Sequence, residues 1–129
     1  MRLLREGRSP WARGKALGGS SVINAMIYMR GHREDYDEWE AEGNPGWSWD
    51  DILPFFKKSE AFKGINVDEE YHGTSGPMEV MVAPYAHPFS TAVVEAADEL
   101  GMRVDDINGR GQDGGFAYTQ LTLERGWRY

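Results

Sequence analysis

Arg13-Gly14-Lys15-Ala16-Leu17-Gly18-Gly19-Ser20-Ser21-Val22-Ile23-Asn24 is the stretch from which the fold is read. It runs from a basic approach through a double glycine and a double serine to the apolar residues Val22, Ile23, Ala25, Met26 and Ile27. Paired glycines let a backbone come close to a ligand and take positive φ values that a Cβ forbids. Serine ahead of an apolar run has the chemistry of an N-cap, and free N–H groups in a first helical turn point towards an anion. Spacing alone leaves two readings open: an anion-contacting loop at a helix start, or a plain capped turn. Val22 to Met29 is too apolar for an exposed helix, which predicts burial.

Working outward, 129 residues suffice for one modest domain with a core, and 40% hydrophobic with 27% charged residues is the balance of a soluble globular chain. The absence of cysteine excludes disulfides and thiolate metal ligands. No apolar run reaches bilayer-spanning length and no signal-peptide pattern opens the chain, so a soluble, cytoplasmic setting is expected. The net charge of −7 is unevenly spread. Up to Arg33 the chain carries Arg2, Arg5, Arg8, Arg13, Lys15, Arg30 and Arg33 against Glu6 alone. An acidic body disfavours general nucleic-acid binding, whereas the basic lead suits a phosphate-bearing ligand or an acidic surface. Met1 to Ser9 reads as a solvated tail.

Ser9-Pro10 breaks any helix, leaving Trp11 as the one large apolar anchor of the lead-in. His32 to Glu42, with Tyr36 and Trp39 three apart, predicts a short amphipathic helix that Gly43-Asn44-Pro45-Gly46 stops. Ser48 is the expected N-cap of a second helix. Asp50 and Asp51 lie in its first turn, and Ile52, Leu53, Phe55 and Phe56 follow at helical spacing. Lys57 and Lys58 come near its end, and Pro54 falls where a missing N–H costs little. Gly64 to Gly76 reads as a polar connector and Pro77 to Ala83 as a half-buried strand. Phe89, Val93, Ala96, Ala97 and Leu100 form a helical stripe with Gly101 as its C′ residue. Asp105 to Gly115 is a glycine- and aspartate-rich loop, and Phe116 to Leu123 a second strand.

The run Arg13 to Gly31 resembles the N-terminal signature of the glucose–methanol–choline (GMC) flavin oxidoreductases. The resemblance continues through D-Y-D-E-W (Asp35 to Trp39), G-N-P-G-W-S-W-D-D-I-L-P-F-F-K-K-S-E (Gly43 to Glu60), H-G-T-S-G-P-M-E-V (His72 to Val80), and D-I-N-G with G-Q-D-G (Asp106 to Gly114). It spans about Trp11 to Tyr129 and is closest in style to choline-dehydrogenase-like alcohol dehydrogenases. The resemblance implies an α/β fold (α+β for this piece), part of a Rossmann-type FAD-binding GMC fold. It divides the chain into an irregular lead-in (1–12), a flavin-contacting loop and helical segment (13–63), and the start of a substrate-binding region (64–129).

The implied cofactor is FAD, lying against Ala16, Gly18, Gly19, Ser20, Ser21, Asn24, Ala25 and Met26, with Asn24 beside the isoalloxazine ring. Some family members attach the flavin through a histidine at the position of Ile23, so attachment here is expected to be non-covalent. The implied reaction is oxidation of a small-molecule alcohol to an aldehyde or ketone, with hydride passing to flavin N5. The family's strand–GxGxxG–helix unit has no counterpart before Trp11, and its catalytic histidine belongs beyond Tyr129. The expectation is therefore a fragment that contains no catalytic residue of its own. Its partners would be the remaining parts of the same protein, with no nucleic acid and no membrane segment. Such a piece alone would neither hold FAD tightly nor turn over alcohols. The alternative is a non-catalytic interaction module, or an inactive truncated product of the same family.

Other candidates read as structural. His32, His72 and His87 do not match the family's catalytic position. Glu34, Asp35, Asp37, Glu38, Glu40 and Glu42 are spread around a helix rather than converging on a metal. Asp105, Asp106, Asn108 and Asp113 lack the spacing and closing glutamate of a calcium loop, so no metal site is expected. Gly14-Lys15 is followed by Ala16, which excludes a P-loop. Trp39, Trp47, Trp49, Phe55 and Phe56 read as packing between two helices rather than a stacking platform.

Overall fold

The computed structural model describes residues 10–65 and 67–128; the lead-in up to Ser9 lies outside them. Capping chemistry sets the helices. The first helix, α1 (Arg33–Ala41), starts at a reciprocal box. There the His32 ring accepts the Glu34 N–H at 3.1 Å and the Asp35 carboxylate accepts the His32 N–H at 3.1 Å. Helix α2 (Trp49–Ser59) starts at Ser48, whose Oγ accepts the Asp51 N–H at 3.3 Å, with Asp50 and Asp51 at its positive end and Lys57 and Lys58 at its negative end. Pro54 lies in the second turn rather than the first, where it removes one backbone bond, to the carbonyl of exposed Asp50. Helix α3 (Pro88–Glu99) is capped by the His87 ring and closed by Gly101 at φ 72°.

Strand β1 (Glu60–Phe62) follows α2 with no linker, inside a stretch whose sequence pattern did not announce it. It pairs in parallel with β2 (Met78–Val82), Glu60 facing Met78 and Phe62 facing Val80. β2 pairs antiparallel with β3 (Gln120–Leu121). A hairpin of β4 (Leu123–Glu124) and β5 (Trp127–Arg128) completes the strands, its two-residue turn holding Arg125 at φ 51° and Gly126 at φ 86°. The second strand expected over Phe116 to Leu123 thus shrinks to two short pairings. Val80, Phe62, Ala61, Leu123, Trp49 and Ala97 are buried. Tyr36 joins the helices as the hub of the aromatic cluster, its ring 5.3 Å from Trp39 and 5.7 Å from Trp49. Trp49 and Phe56 pack between the helices as expected, whereas Trp39, Trp47 and Phe55 are exposed.

Two further expectations fail. Val22 to Met29 is neither helical nor buried: a single 3₁₀ turn (Gly19–Val22) is followed by extended chain, and Val22, Ile23, Ile27 and Met29 are exposed. Met26 at φ 59° forbids helix continuation, and the chain instead runs to the sheet, where Ile27 bridges Leu121. Trp11 does not anchor the lead-in; it is 74% exposed, with the Arg13 guanidinium 5.0 Å over its ring.

The centre of the molecule is polar. Arg30, Glu60, His72, Asn108 and Gln120 are all buried. Glu60 accepts from Arg30 Nη2 at 2.6 Å, His72 Nδ1 at 3.1 Å and the Gly73 N–H at 3.0 Å. The other nitrogen of His72 meets Asp106 at 2.6 Å. Asn108 ties in the chain ahead of α1, accepting the Arg30 N–H at 2.9 Å and donating to the Tyr28 carbonyl at 3.0 Å. The Tyr36 hydroxyl also donates to the Arg30 carbonyl.

Candidate functional site

The glycine–serine loop lies on the surface, and its shape is set by its own backbone. The Gly19 N–H donates to the Ala16 carbonyl at 2.9 Å, and the Gly14 N–H to Ser20 Oγ at 3.2 Å. Gly14 packs so close that a Cβ there would stand 1.9 Å from the Gly19 carbonyl oxygen. Gly18 (φ 90°) and Gly19 (φ 58°) take left-handed conformations, and open space lies above Gly19. A four-residue 3₁₀ turn has no helix dipole to offer an anion, so what the loop presents is local chemistry. That chemistry is the charge of Arg13 and Lys15 together with bare apolar side chains, Leu17 being 98% and Ile23 54% exposed.

The eight residues singled out from the sequence, Ala16, Gly18, Gly19, Ser20, Ser21, Asn24, Ala25 and Met26, share this segment by adjacency in the chain. Asn24 is the most constrained of them. Its Oδ1 accepts the Met26 N–H at 3.0 Å and Arg128 Nη1 at 2.6 Å. Arg128 also donates to the Ser21 carbonyl at 2.7 Å and the Asn24 carbonyl at 3.0 Å. Sequence reasoning missed Arg128, since a side chain acting across 104 residues leaves no local signal. On the far side, the Met26 carbonyl accepts the Thr122 N–H at 2.8 Å and the Tyr28 N–H donates to Gln120. The loop is therefore pinned to the segment 120–128 on both flanks.

None of the three histidines lies on this loop. His32 and His87 cap helices, and His72 is enclosed in the centre. Burial alone would lower the His72 pKa, but hydrogen bonds to Asp106 and Glu60 and their negative charges outweigh it and push it up to about 9. Asp106 is held below the usual carboxylate range: burial opposes this, and the bonds from His72, the Asn108 N–H and Gln120 prevail. Both imidazole nitrogens face carboxylates, which is the arrangement of an imidazolium rather than a titrating base. Among the described residues no group of His, Asp or Glu could hold a metal ion, and no helix is long and apolar enough to cross a membrane. An open apolar groove of about 460 Å³ beside Tyr36, Trp47, Ile52 and Phe56 includes no loop residue.

Residues 4–129 match the model of the GMC oxidoreductase family. The chain belongs to that family. It is 50% identical over 127 residues to a glucose dehydrogenase [FAD, quinone] of Drosophila melanogaster, covering 96% of this chain and 20% of that protein. To an oxygen-dependent choline dehydrogenase of Sinorhizobium fredii it is 44% identical, covering 91% of this chain and 21% of the relative. Among solved structures, pyridoxine 4-oxidase from Mesorbium loti superposes with a TM-score of 0.79 at 34% identity, over 92% of this chain and 23% of that one. The chain thus spans about a fifth of the length of the curated relatives it matches. Its helices and mixed sheet are a portion of the α/β fold of these enzymes.

Proposed function

We propose that this chain supplies the loop that lies along FAD, and the start of the substrate-binding region, in an oxidoreductase that converts an alcohol to an aldehyde or ketone. The observation that carries this reading is the exposed loop itself, with Gly18 and Gly19 in left-handed conformations, open space above Gly19, and the Asn24 side chain held by Arg128. Its donor set fits a flavin dinucleotide. Arg13 and Lys15 suit the charged pyrophosphate, the glycines admit close approach of a flat ring, and Leu17, Ile23 and Ile27 offer apolar surface that excludes water. Ala16, Gly18, Gly19, Ser20, Ser21, Asn24, Ala25 and Met26 would line the cofactor, and Ile23 has no atom able to bond it covalently. When bound, the flavin supplies the hydride acceptor. Glucose, choline and pyridoxine, the compounds in the relatives' names, all carry a CH–OH group, which supports an alcohol as the small-molecule donor.

The test grafts the whole chain in place of the matching segment of the Drosophila glucose dehydrogenase. A yellow protein bleached by glucose is expected, and Gly19→Val, which puts a β-branched residue at φ 58°, should lose the colour. A folded but colourless graft would overturn the reading. The 129-residue chain by itself is expected neither to retain FAD through gel filtration nor to oxidise alcohols.

A further inference from the structure

Asn24 is held in a way that determines which end of its amide is free. Two donors, the Met26 N–H at 3.0 Å and Arg128 Nη1 at 2.6 Å, converge on one side-chain atom. Only the oxygen can accept both, so the identity of the two amide ends is fixed by chemistry. The same guanidinium donates to the Ser21 carbonyl at 2.7 Å and to the Asn24 carbonyl at 3.0 Å, bracketing the exit of the 3₁₀ turn. Three bonds from one planar fork define an orientation that a point charge on a flexible stem would not. The backbone that carries the fork is paired, although Arg128 itself is exposed. Arg128 stands opposite Leu123 in the β4–β5 hairpin, and Leu123 is buried.

We propose that Arg128 is a positioning residue: by occupying the Asn24 carboxamide oxygen it leaves the Asn24 –NH₂ as the group presented to a ligand along the loop. A neutral N–H₂ offers donors only, so the atom it meets is an electron-rich acceptor. On the flavin reading above, upon which this inference rests, that atom belongs to the ring on which negative charge grows during reduction, and a preset donor favours the charged state. Arg128 acts through Asn24, to which two of its three bonds run.

Three variants test this. Asn24→Asp keeps an oxygen for Met26 and Arg128 but replaces the –NH₂ with an acceptor. Arg128→Met removes the fork, and Arg128→Lys keeps the charge without it. In the chain alone, amide hydrogen exchange at Met26 should stay within about twofold of wild type in Asn24→Asp and speed up roughly tenfold or more in both Arg128 variants. In the grafted glucose dehydrogenase, Asn24→Asp and Arg128→Met should each slow flavin reduction about ten- to a hundredfold, with the glucose KM within about twofold. A purely structural role for Arg128 would instead lower flavin content and leave the reduction rate of the loaded fraction unchanged, and that result overturns the proposal. Wild-type exchange at Met26 in Arg128→Met overturns it too, as does wild-type reduction in Asn24→Asp. A colourless unmutated graft sinks the flavin reading instead, while the exchange arm still decides whether Arg128 sets the loop.

Discussion

At the scale of single residues, Met26 shows how tightly the loop is held. It is one of two described non-glycine residues with positive φ, at 59°. A left-handed conformation costs an ordinary residue about 1–2 kcal/mol, so something must hold it there. The Asn24 side chain fixes the Met26 N–H, and the Thr122 N–H fixes its carbonyl at 2.8 Å. Met26→Val, with a β-branched side chain in that region, is expected to destabilise the chain by about 2 kcal/mol. Met26→Gly removes the strain and frees the unfolded chain by a similar amount, leaving stability within about 1 kcal/mol of wild type. Urea unfolding of the two variants checks the order; a valine variant as stable as the glycine one would show that the conformation is not strained.

At the scale of elements, what stands in the sequence next to an element is what could be read there. Ser48 announces α2 and Gly101 closes α3 because a cap acts within three residues of its own position. Ser48→Ala should therefore cost about 1 kcal/mol, read by denaturant unfolding. β1 could not be read this way, because Glu60-Ala61-Phe62 becomes a strand only when β2 arrives from residue 78 onward. The contact that fixes that arrival is Gly76. Its N–H donates to the Glu60 carbonyl at 2.7 Å, and a Cβ there would sit 2.4 Å from the Glu60 nitrogen. Gly76→Ala must push the two strands apart and should cost about 2–3 kcal/mol, measurable in the same assay; an unaffected variant would mean that the strands do not pack so closely. The loop divides along the same line. Its glycines and Asn24 stand out locally, whereas the exposed path of Val22 to Met29 is set by Leu121 and Thr122, and the clasp by Arg128, all about a hundred residues away. Apolarity alone misread that path as burial, since a surface that a ligand or another part of a protein covers has the same composition as a core.

At the scale of the molecule, β1, the connector before β2, the loop before the 3₁₀ turn Arg110–Asp113, and the chain ahead of α1 all meet in one buried charge cluster. Arg30 and His72 supply two positive groups against Glu60 and Asp106, so the cluster is neutral only while His72 keeps its second proton. Losing that proton leaves the half-buried Asp106 carboxylate without its positive partner, which is costly. The sign of the pH dependence follows. The His72 pKa lies near 9 in the folded chain against 6.5 when unperturbed, so the folded state binds the proton more tightly. That stabilisation is complete below about pH 6.5 and is lost as pH rises through about 9. Asp106 works from the other side: its lowered pKa contributes stability above about 3.8, lost as pH falls through the folded value. The two shifts describe one interaction and are counted once. Unfolding free energy should therefore be greatest between about pH 4 and 6.5 and fall by up to about 3 kcal/mol by pH 9.5. His72→Gln, which cannot be charged, should lower stability by about 3 kcal/mol near pH 6 and flatten the alkaline fall. Urea midpoints of both proteins across that range decide it: a wild-type chain no less stable at about pH 9.5 than at pH 6 would mean that His72 is neutral in the folded state and the cluster is held by hydrogen bonds alone.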